Sequence, residues 1–351
     1  MPENKLSAVR RRLLRWYERT HRDLPWRRTR DPYAIWISET MLQQTQVATV
    51  IPYYERFLAA FPSVERLHQA SLRRVLALWS GLGYYRRAEN LKKSAHQLVL
   101  NHGGKLPQTY EALRDLPGVG AYTAGALMSI AFGKPYPAID GNARRVLGRI
   151  FALNSDGKIR DLAARIIPPR RPGTFNQGLM ELGATICLAK NPRCSECPVT
   201  SHCESLATRR TFTPKKARFF KDVTWPLSIV RRQGAILLRR RPSRGLLAGL
   251  WELPGGEKMQ GQSLAANVRH HLQGLPTKLA APKRIGEIRH NITNRKIHAP
   301  IFLFEQRATA KTNSLGPGWR WSSPSALHRH PVTSMTLKAA KILKAYDKSS
   351  L

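Results

Sequence analysis

Cys187, Cys194, Cys197 and Cys203 fall within seventeen residues and are the only cysteines of the 351-residue chain. Four thiols crowded together force that part of the fold to close around something. The spacing is C-x6-C-x2-C-x5-C, and Pro192 and Pro198 keep the segment a loop. Two disulfides would suit an oxidising compartment. The N-terminal stretch MPENKLSAVRRRLLRWYERT is instead charged and amphipathic, without an apolar signal core, and no run approaches a membrane span. We therefore expect a cytoplasmic protein whose loop holds a metal. A zinc ribbon normally carries two C-x-x-C knuckles on separate hairpins, and only one is present here. Four thiolates in one compact loop suit a cubic iron–sulfur cluster. Spacing alone leaves both metals open, and with them an electron-transfer role. Lys190 and Arg193 lie inside the loop, so a metal there can act as a staple that shapes a phosphate-facing surface.

Charge points the same way. Lys and Arg total 59 against 22 Asp and Glu, a net charge of +37. Residues 1–225 carry 37 basic and 17 acidic side chains, and residues 226–351 carry 22 and 5. A single basic tail would be one electrostatic arm; two basic halves suggest that both face a polyanion, with nucleic acid the first choice. The alternative is a generally basic, solvated surface.

Hydrophobic periodicity predicts helices over 39–60, 84–100, 120–132 and 140–151, the last starting at Asp140, a good N-cap. The segment RRTFTPKKARFFKD reads as a linker. Beyond it LSIVRR, GAILLRR and HAPIFLFEQ have strand character, and 263–273 and 335–346 read as helices. We expect an all-helical domain followed by an α+β domain. In the first, LPGVGAYTAGAL places Gly118 and Gly120 just before a helix, where the backbone can turn tightly and aim N–H groups at an anion. A plain helix–turn–helix joint fits that pattern equally well.

Several motifs, in this order, resemble the helix-hairpin-helix superfamily of DNA base-excision glycosylases, and more narrowly the MutY-type adenine DNA glycosylases. They are LPWR (24–27), SETMLQQTQV (38–47), GLGYYRRAENL (81–91), LPGVGAYTAGAL (116–127), AIDGNARRVLGR (138–149), the cysteine loop after MELGATIC, and LLAGLWELPGG (246–256). The resemblance covers nearly the whole chain. It implies a helix-hairpin-helix glycosylase domain at 1–206 with the loop 187–203 holding one [4Fe–4S] cluster, a basic linker at 207–225, and a Nudix-like lesion-recognition domain at 226–351. The implied partner of this monomer is double-stranded DNA containing A:8-oxoguanine or A:G mispairs.

Breaking the bond between adenine and deoxyribose requires a proton for the leaving base and a negative charge near the cation-like sugar. Two carboxylates in different environments can divide that labour. Glu39 lies among Ile35, Trp36, Ile37 and Met41, surroundings that raise a carboxyl pKa, although it also reads as an ordinary first-turn Glu. Asp140 reads equally well as a helix N-cap. The resemblance implies that Glu39 is the general acid, protonating adenine N7, and that Asp140 stabilises the oxocarbenium-like sugar by charge or transient covalency. Bifunctional relatives of the endonuclease III type carry a Lys where this chain has Tyr122. A phenol forms no imine, so we expect a monofunctional enzyme, with Tyr122 supporting Asp140 or packing its helix.

Flipping a base leaves a gap to be filled. Leu42, Gln43 and Gln44 lie within about one turn of Glu39, and Tyr84 sits between a Gly-Leu-Gly turn and a basic helix, placed to stack into a duplex unless it is simply buried. The resemblance implies that Gln44 and Tyr84 probe the opposite strand, and that Trp26, Arg27 and Glu181 border the adenine pocket. In the C-terminal half, LAANVRHHLQG (264–274) stands where a Nudix hydrolase has a glutamate-rich, magnesium-binding helix, and it has no carboxylate. This domain is therefore expected to recognise, not hydrolyse. Many relatives read 8-oxoguanine with Phe-Ser-His; here Ile292-Thr293-Asn294 stands in that place, with Thr293 and Asn294 able to keep part of the hydrogen bonding, or else forming a plain strand-to-strand turn. A thymine- or other mismatch-specific glycosylase of the same fold, and a non-catalytic binder of damaged DNA, are the competing functions.

Overall fold

Tertiary contacts divide the chain into two units, Met1–Gln69 with Glu89–Lys216 and Ala70–Ala88 with Ala217–Leu351. The computed structural model describes residues 2–208, 220–273, 275, 279–306 and 315–349. Helices run in chain order as α1 (Glu3–Thr20), α2 (Pro32–Leu42), α3 (Val47–Ala60), α4 (Val64–Gln69), α5 (Leu72–Trp79), α6 (Arg86–His102), α7 (Tyr110–Arg114), α8 (Ala121–Ala126), α9 (Gly141–Ile150), α10 (Asp156–Ile166), α11 (Pro172–Thr185) and α12 (Glu204–Ala207).

The first unit is helical, as expected. Its core joins Leu6, Val9 and Leu13 of α1, Val146, Leu147 and Ile150 of α9, and Phe175, Leu179 and Leu182 of α11, with Cys187 and Cys197 packed against it. Helix α2 is buried from Tyr33 to Met41, the signature of a helix enclosed on all sides. Asp31 starts it, its carboxylate accepting from Tyr33 N at 3.1 Å and Ala34 N at 3.2 Å, and Pro32 supplies a preset first-turn φ. The single helix expected over 39–60 is two helices. The chain breaks after Leu42, and Gln44 takes φ +58°, a left-handed conformation that a glutamine adopts only when tertiary contacts impose it.

The second unit carries a mixed sheet: β1 (Lys221–Thr224), β2 (Leu227–Arg232), β3 (Ala235–Arg240), β4 (Trp251–Glu252), β5 (Lys283–Ile292), β6 (Arg295–Glu305) and β7 (Trp319–Ser322). The path is β1-β6-β2-β3-β4, with β5 paired to β6 and β7 to β3. Long β6 runs parallel to both β1 and β2 and antiparallel to β5. Side chains alternate across β2: Leu227 and Ile229 enter one core, beneath Met335, Ala339 and Leu343 of α14 (Ser334–Ser349), while Val230 enters the other, beneath Val268 of α13 (Leu264–His270). Strand β1 lies inside the segment read as linker, because KDVT becomes a strand only by pairing along β6; residues 209–219 of that segment lie outside the described residues.

Residues 70–88 belong to the second unit although their sequence lies within the helical half. Ser80 Oγ and Tyr85 Oη both donate to the Val332 carbonyl, at 2.9 and 2.6 Å, and Ser334 Oγ donates to Gly81 O at 3.4 Å. Among the described residues no helix is long and apolar enough to cross a membrane.

Candidate active site and cluster loop

One cavity of about 600 Å³ in the first unit gathers most of the side chains singled out from sequence. Trp26, Arg27, Glu39, Leu42, Gln43, Gln44, Gly118, Gly120, Tyr122, Asp140 and Glu181 all line it. Its size suits a small organic ligand such as a base. Helix α2 brings Glu39 from one side, and the N-terminus of α9 brings Asp140 from another. The Gly118 turn makes the entry to α8 possible: φ there is +82°, and a Cβ would stand 2.8 Å from Asn90 Cβ.

Glu39 is only 5 % exposed. Burial pushes its carboxyl up to about 7, helped by the nearby Asp140 and opposed by a hydrogen bond from Tyr122. That bond is short: the Tyr122 hydroxyl donates to Glu39 Oε2 at 2.5 Å, and it also lies 3.4 Å from Met180 Sδ. Tyr122 thus serves Glu39 and makes no hydrogen bond to Asp140, the residue it was expected to support. Burial likewise raises the Tyr122 phenol well above its ordinary value, so it stays a neutral donor.

Asp140 is N-cap and cavity wall at once. Its Oδ1 accepts from Ala143 N at 2.6 Å and its Oδ2 from Asn142 Nδ2 at 3.0 Å. Burial raises its carboxyl while these two bonds and Arg145 oppose the rise. Asn142 is in turn held by Arg145, whose Nη2 donates to Asn142 Oδ1 at 2.9 Å and Gly183 O at 2.7 Å, and whose Nε donates to Cys187 O at 2.8 Å. Only a glycine fits at 183, since a Cβ would come within 2.6 Å of Asn142 Cβ. A continuous hydrogen-bonded path therefore links the cysteine loop to Asp140. Sequence reasoning quoted Asn142 and Arg145 within their motif but gave them no role; nothing in spacing says that they touch Cys187.

Glu181 is 1 % exposed and paired with two arginines: Arg22 reaches both carboxylate oxygens at 2.7 Å, and Arg27 Nη2 reaches Oε2 at 2.7 Å. Burial alone would raise its carboxyl, but the bonds from Arg22 and Arg27 hold it at about 2, so it remains an anion. Trp26 packs edge-on to Tyr54 at 5.4 Å, which fixes the floor of the cavity. Gln43 Nε2 donates to Thr123 Oγ1 at 3.3 Å. Arg22 escaped the sequence reading because its partner is 159 positions away.

Three expected contact residues are not in this cavity's lining: Tyr84, Thr293 and Asn294. Tyr84 is 44 % exposed and left-handed at φ +49°, with the Arg87 guanidinium 5.3 Å from its ring centre. Thr293, at φ +54°, and Asn294 form the two-residue turn between β5 and β6, where Thr293 Oγ1 donates to Ile292 O at 2.7 Å. Helix α13 carries no carboxylate.

None of the four cysteines forms a disulfide, and all four line a single cavity with Arg149, Val199 and Leu206. Among the described residues no set of Cys, His, Asp or Glu converges tightly enough to hold one metal ion. The donor set is four sulfurs lining one space, which fits a thiolate-bound metal centre. Arg149 Nη1 lies 3.4 Å from Cys187 Sγ and donates to Leu188 O at 2.6 Å, placing positive charge beside a thiolate ligand.

Comparison with known proteins accounts for these features together. Residues 37–169 match the HhH-GPD superfamily of base excision DNA repair proteins, 187–203 the iron-sulfur binding domain of endonuclease III, and 227–341 the NUDIX domain. The loop is thus an iron–sulfur loop, not a zinc site. Adenine DNA glycosylases of Rattus norvegicus (36 % identical, 97 % of this chain and 78 % of that one), Homo sapiens (34 %, 96 % and 74 %) and Buchnera aphidicola subsp. Baizongia pistaciae (35 %, 94 % and 96 %) are similar throughout. Among solved structures, a thermostable thymine-DNA glycosylase is 32 % identical with a TM-score of 0.56, covering 59 % of this chain and 98 % of that one. An endonuclease III bound to DNA, 23 % identical with a TM-score of 0.53, covers 60 % of this chain and 98 % of its own and shares the fold. The thymine enzyme's likeness spans little more than half of this chain, whereas that of the adenine enzymes runs through the sheet as well, and it is to the adenine DNA glycosylase family that this chain belongs.

Proposed function

We propose that the enzyme hydrolyses the N-glycosidic bond of adenine mispaired with 8-oxoguanine or guanine, as a monofunctional glycosylase acting as a monomer on cytoplasmic, nucleoid DNA. The observation that carries this reading is the pairing of Glu39 and Asp140 across one cavity, with Tyr122 bonded to Glu39 where imine chemistry would need a lysine. A carboxyl held near 7 is half protonated at neutral pH, so it can act as an acid there. Tyr122 occupies Oε2, which leaves Oε1 to carry the proton. As the glycosidic bond breaks, its electron pair stays with adenine, and Glu39 delivers the proton to N7 so that the base departs neutral. Positive charge builds on the sugar, where Asp140 faces it. Water then adds to C1′, and its proton returns to the Glu39 carboxylate.

The buried Glu181 anion and its two arginines supply a fixed polar wall for the base, and Trp26 an apolar one. Gln44 and Tyr84, both held at positive φ, fit the role of strand-probing wedges, since such strain gathers at functional positions. Leu42 and Gln43 line the same cavity as Gln44, and the glycines at 118 and 120 suit a phosphate contact. Cys187, Cys194, Cys197 and Cys203 would hold one [4Fe–4S] cluster, which supplies a rigid cross-link of the loop. The Thr293-Asn294 turn is exposed on a Nudix-like unit whose helix α13 carries no carboxylate, which supports a reading role toward the base opposite adenine.

Duplexes holding A:8-oxoguanine, A:G, A:T, G:T and uracil pairs, incubated with the protein and then treated with hot alkali, test this. Strongest cleavage is expected at A:8-oxoguanine and A:G, with none before alkali. Strongest release at G:T would favour the thymine reading that the 32 % identical structure brings forward, and strand breaks before alkali would overturn monofunctionality.

A further inference from the structure

The second unit also gathers a group of cations that form no ion pair among the described residues. His330 Nδ1 lies 3.4 Å from Arg73 Nη2 and 3.3 Å from Arg320 Nη1. A guanidinium can only donate, so Nδ1 must present its lone pair, and the ring is neutral with its proton on Nε2. One neutral acceptor thus gathers two positive charges without cancelling either. Arg320 is further fixed over the Trp251 indole at 4.9 Å. Arg329 and His328 lie close enough to act on His330 electrostatically. Arg73 comes from α5, and Arg320 from β7, so two remote parts of the chain are folded to bring like charges together.

Five other arginines of the unit are paired with carboxylates. Arg231 pairs with Glu305 and Asp347, Arg239 and Arg241 with Glu252, Arg284 with Glu287, and Arg295 with Glu257. Those are five of the unit's six acidic residues, Asp222 of β1 being the sixth. Arg73, Arg320 and Arg329 form no ion pair with a described Asp or Glu. Arg73 and Arg329 are exposed and Arg320 is half-buried, which leaves planar donors open to phosphate oxygens.

We propose that Arg73, Arg320 and Arg329, gathered around His330, form an anion site that takes a backbone phosphate of the DNA duplex. The proposal rests on DNA being the substrate but not on which base is released. A backbone phosphate contact carries no sequence information, so its loss weakens binding to every duplex alike.

The test is the salt dependence of binding to an undamaged and to a mispaired duplex, for the full chain and for its R73A/R320A variant. The slope of log affinity against log salt should fall by about 1, near the value for one released phosphate contact, by the same amount on both duplexes. Base release under saturating enzyme should be unchanged. The R73K/R320K variant should recover most of the slope, which separates charge from lost packing; an unchanged slope in R73A/R320A overturns the site. If inorganic phosphate at matched ionic strength saturates the wild-type site in a titration while the duplex slope is unaffected by R73A/R320A, the site takes free phosphate and the DNA assignment fails. Should R73A/R320A fold poorly, R329A with a wild-type melting curve gives the same reading. A protein that released no adenine would fail the proposed function while leaving these slopes fully informative.

Discussion

Replacing Tyr122 by Phe removes one hydroxyl and, with it, the 2.5 Å hydrogen bond to Glu39 Oε2. That bond favours the charged carboxylate and so opposes the burial that raises Glu39 to about 7. Hydrogen bonds to charged groups contribute about 1.5–3 kcal/mol, and one pH unit corresponds to about 1.4 kcal/mol. Losing the bond should therefore raise the Glu39 pKa by about one to two units. The sign follows: the protonated acid persists to higher pH, and the alkaline limb of base release moves up, not down. Single-turnover release of adenine with enzyme in excess, followed from roughly pH 5 to 10, reads the limb directly. An expected midpoint near 7 in the wild type should become about 8–9 in Tyr122→Phe. A limb that stays in place would show that the hydroxyl does not tune the acid. A limb that moves to lower pH would refute the assignment of Glu39 as proton donor.

Three further outcomes follow from the same geometry. Because burial lifts Glu39 from 4.5 to about 7, the folded state keeps a proton that the unfolded chain releases. Stability is therefore lost as pH rises through that window, and Glu39→Gln should be the more stable protein at about pH 8, by up to about 3 kcal/mol, but not at about pH 4; urea unfolding at both values checks it. Arg145→Gln breaks the path from Cys187 O through Asn142 to Asp140. It should cut turnover at least tenfold, or about 1.4 kcal/mol, while affinity for the mispaired duplex, measured by titration, changes less. Purified protein should be brown with about four irons per chain; iron assay of Cys197→Ser should show a clear deficit, and stoichiometric zinc in the wild type would contradict the loop's assignment.

What could be read from sequence tracks how local the cause is. The cysteine spacing, the apolar neighbours of Glu39 along α2 and the N-cap at Asp140 are encoded within a few residues, and each is present in the structure. The break at 43–46 was invisible because Gln43-Gln44-Thr45-Gln46 contains neither Gly nor Pro, and the left-handed Gln44 is imposed by the fold. Strands β1 and β5 were missed for a related reason. KDVT sits in a basic stretch, and KRIGEIRHNI buries only Ile288 completely; both are strands because β6 offers edges to pair with. The Glu181 pairs and the Arg145 path join residues 38 to 159 positions apart, a separation that spacing rules do not reach.

The attachment of residues 70–88 to Val332 has a temporal side. Ser80 and the carbonyl that it binds are 252 positions apart. At ribosomal speeds of about 5–20 residues per second, the stretch bearing Tyr84 emerges roughly 10–50 s before the residue that anchors it. During synthesis the helices on either side can already pack while this loop waits, solvated and unanchored. The anchoring of this early loop waits for Val332, and a ribosome that stops short of it leaves residues 70–88 without the carbonyl to which Ser80 and Tyr85 donate.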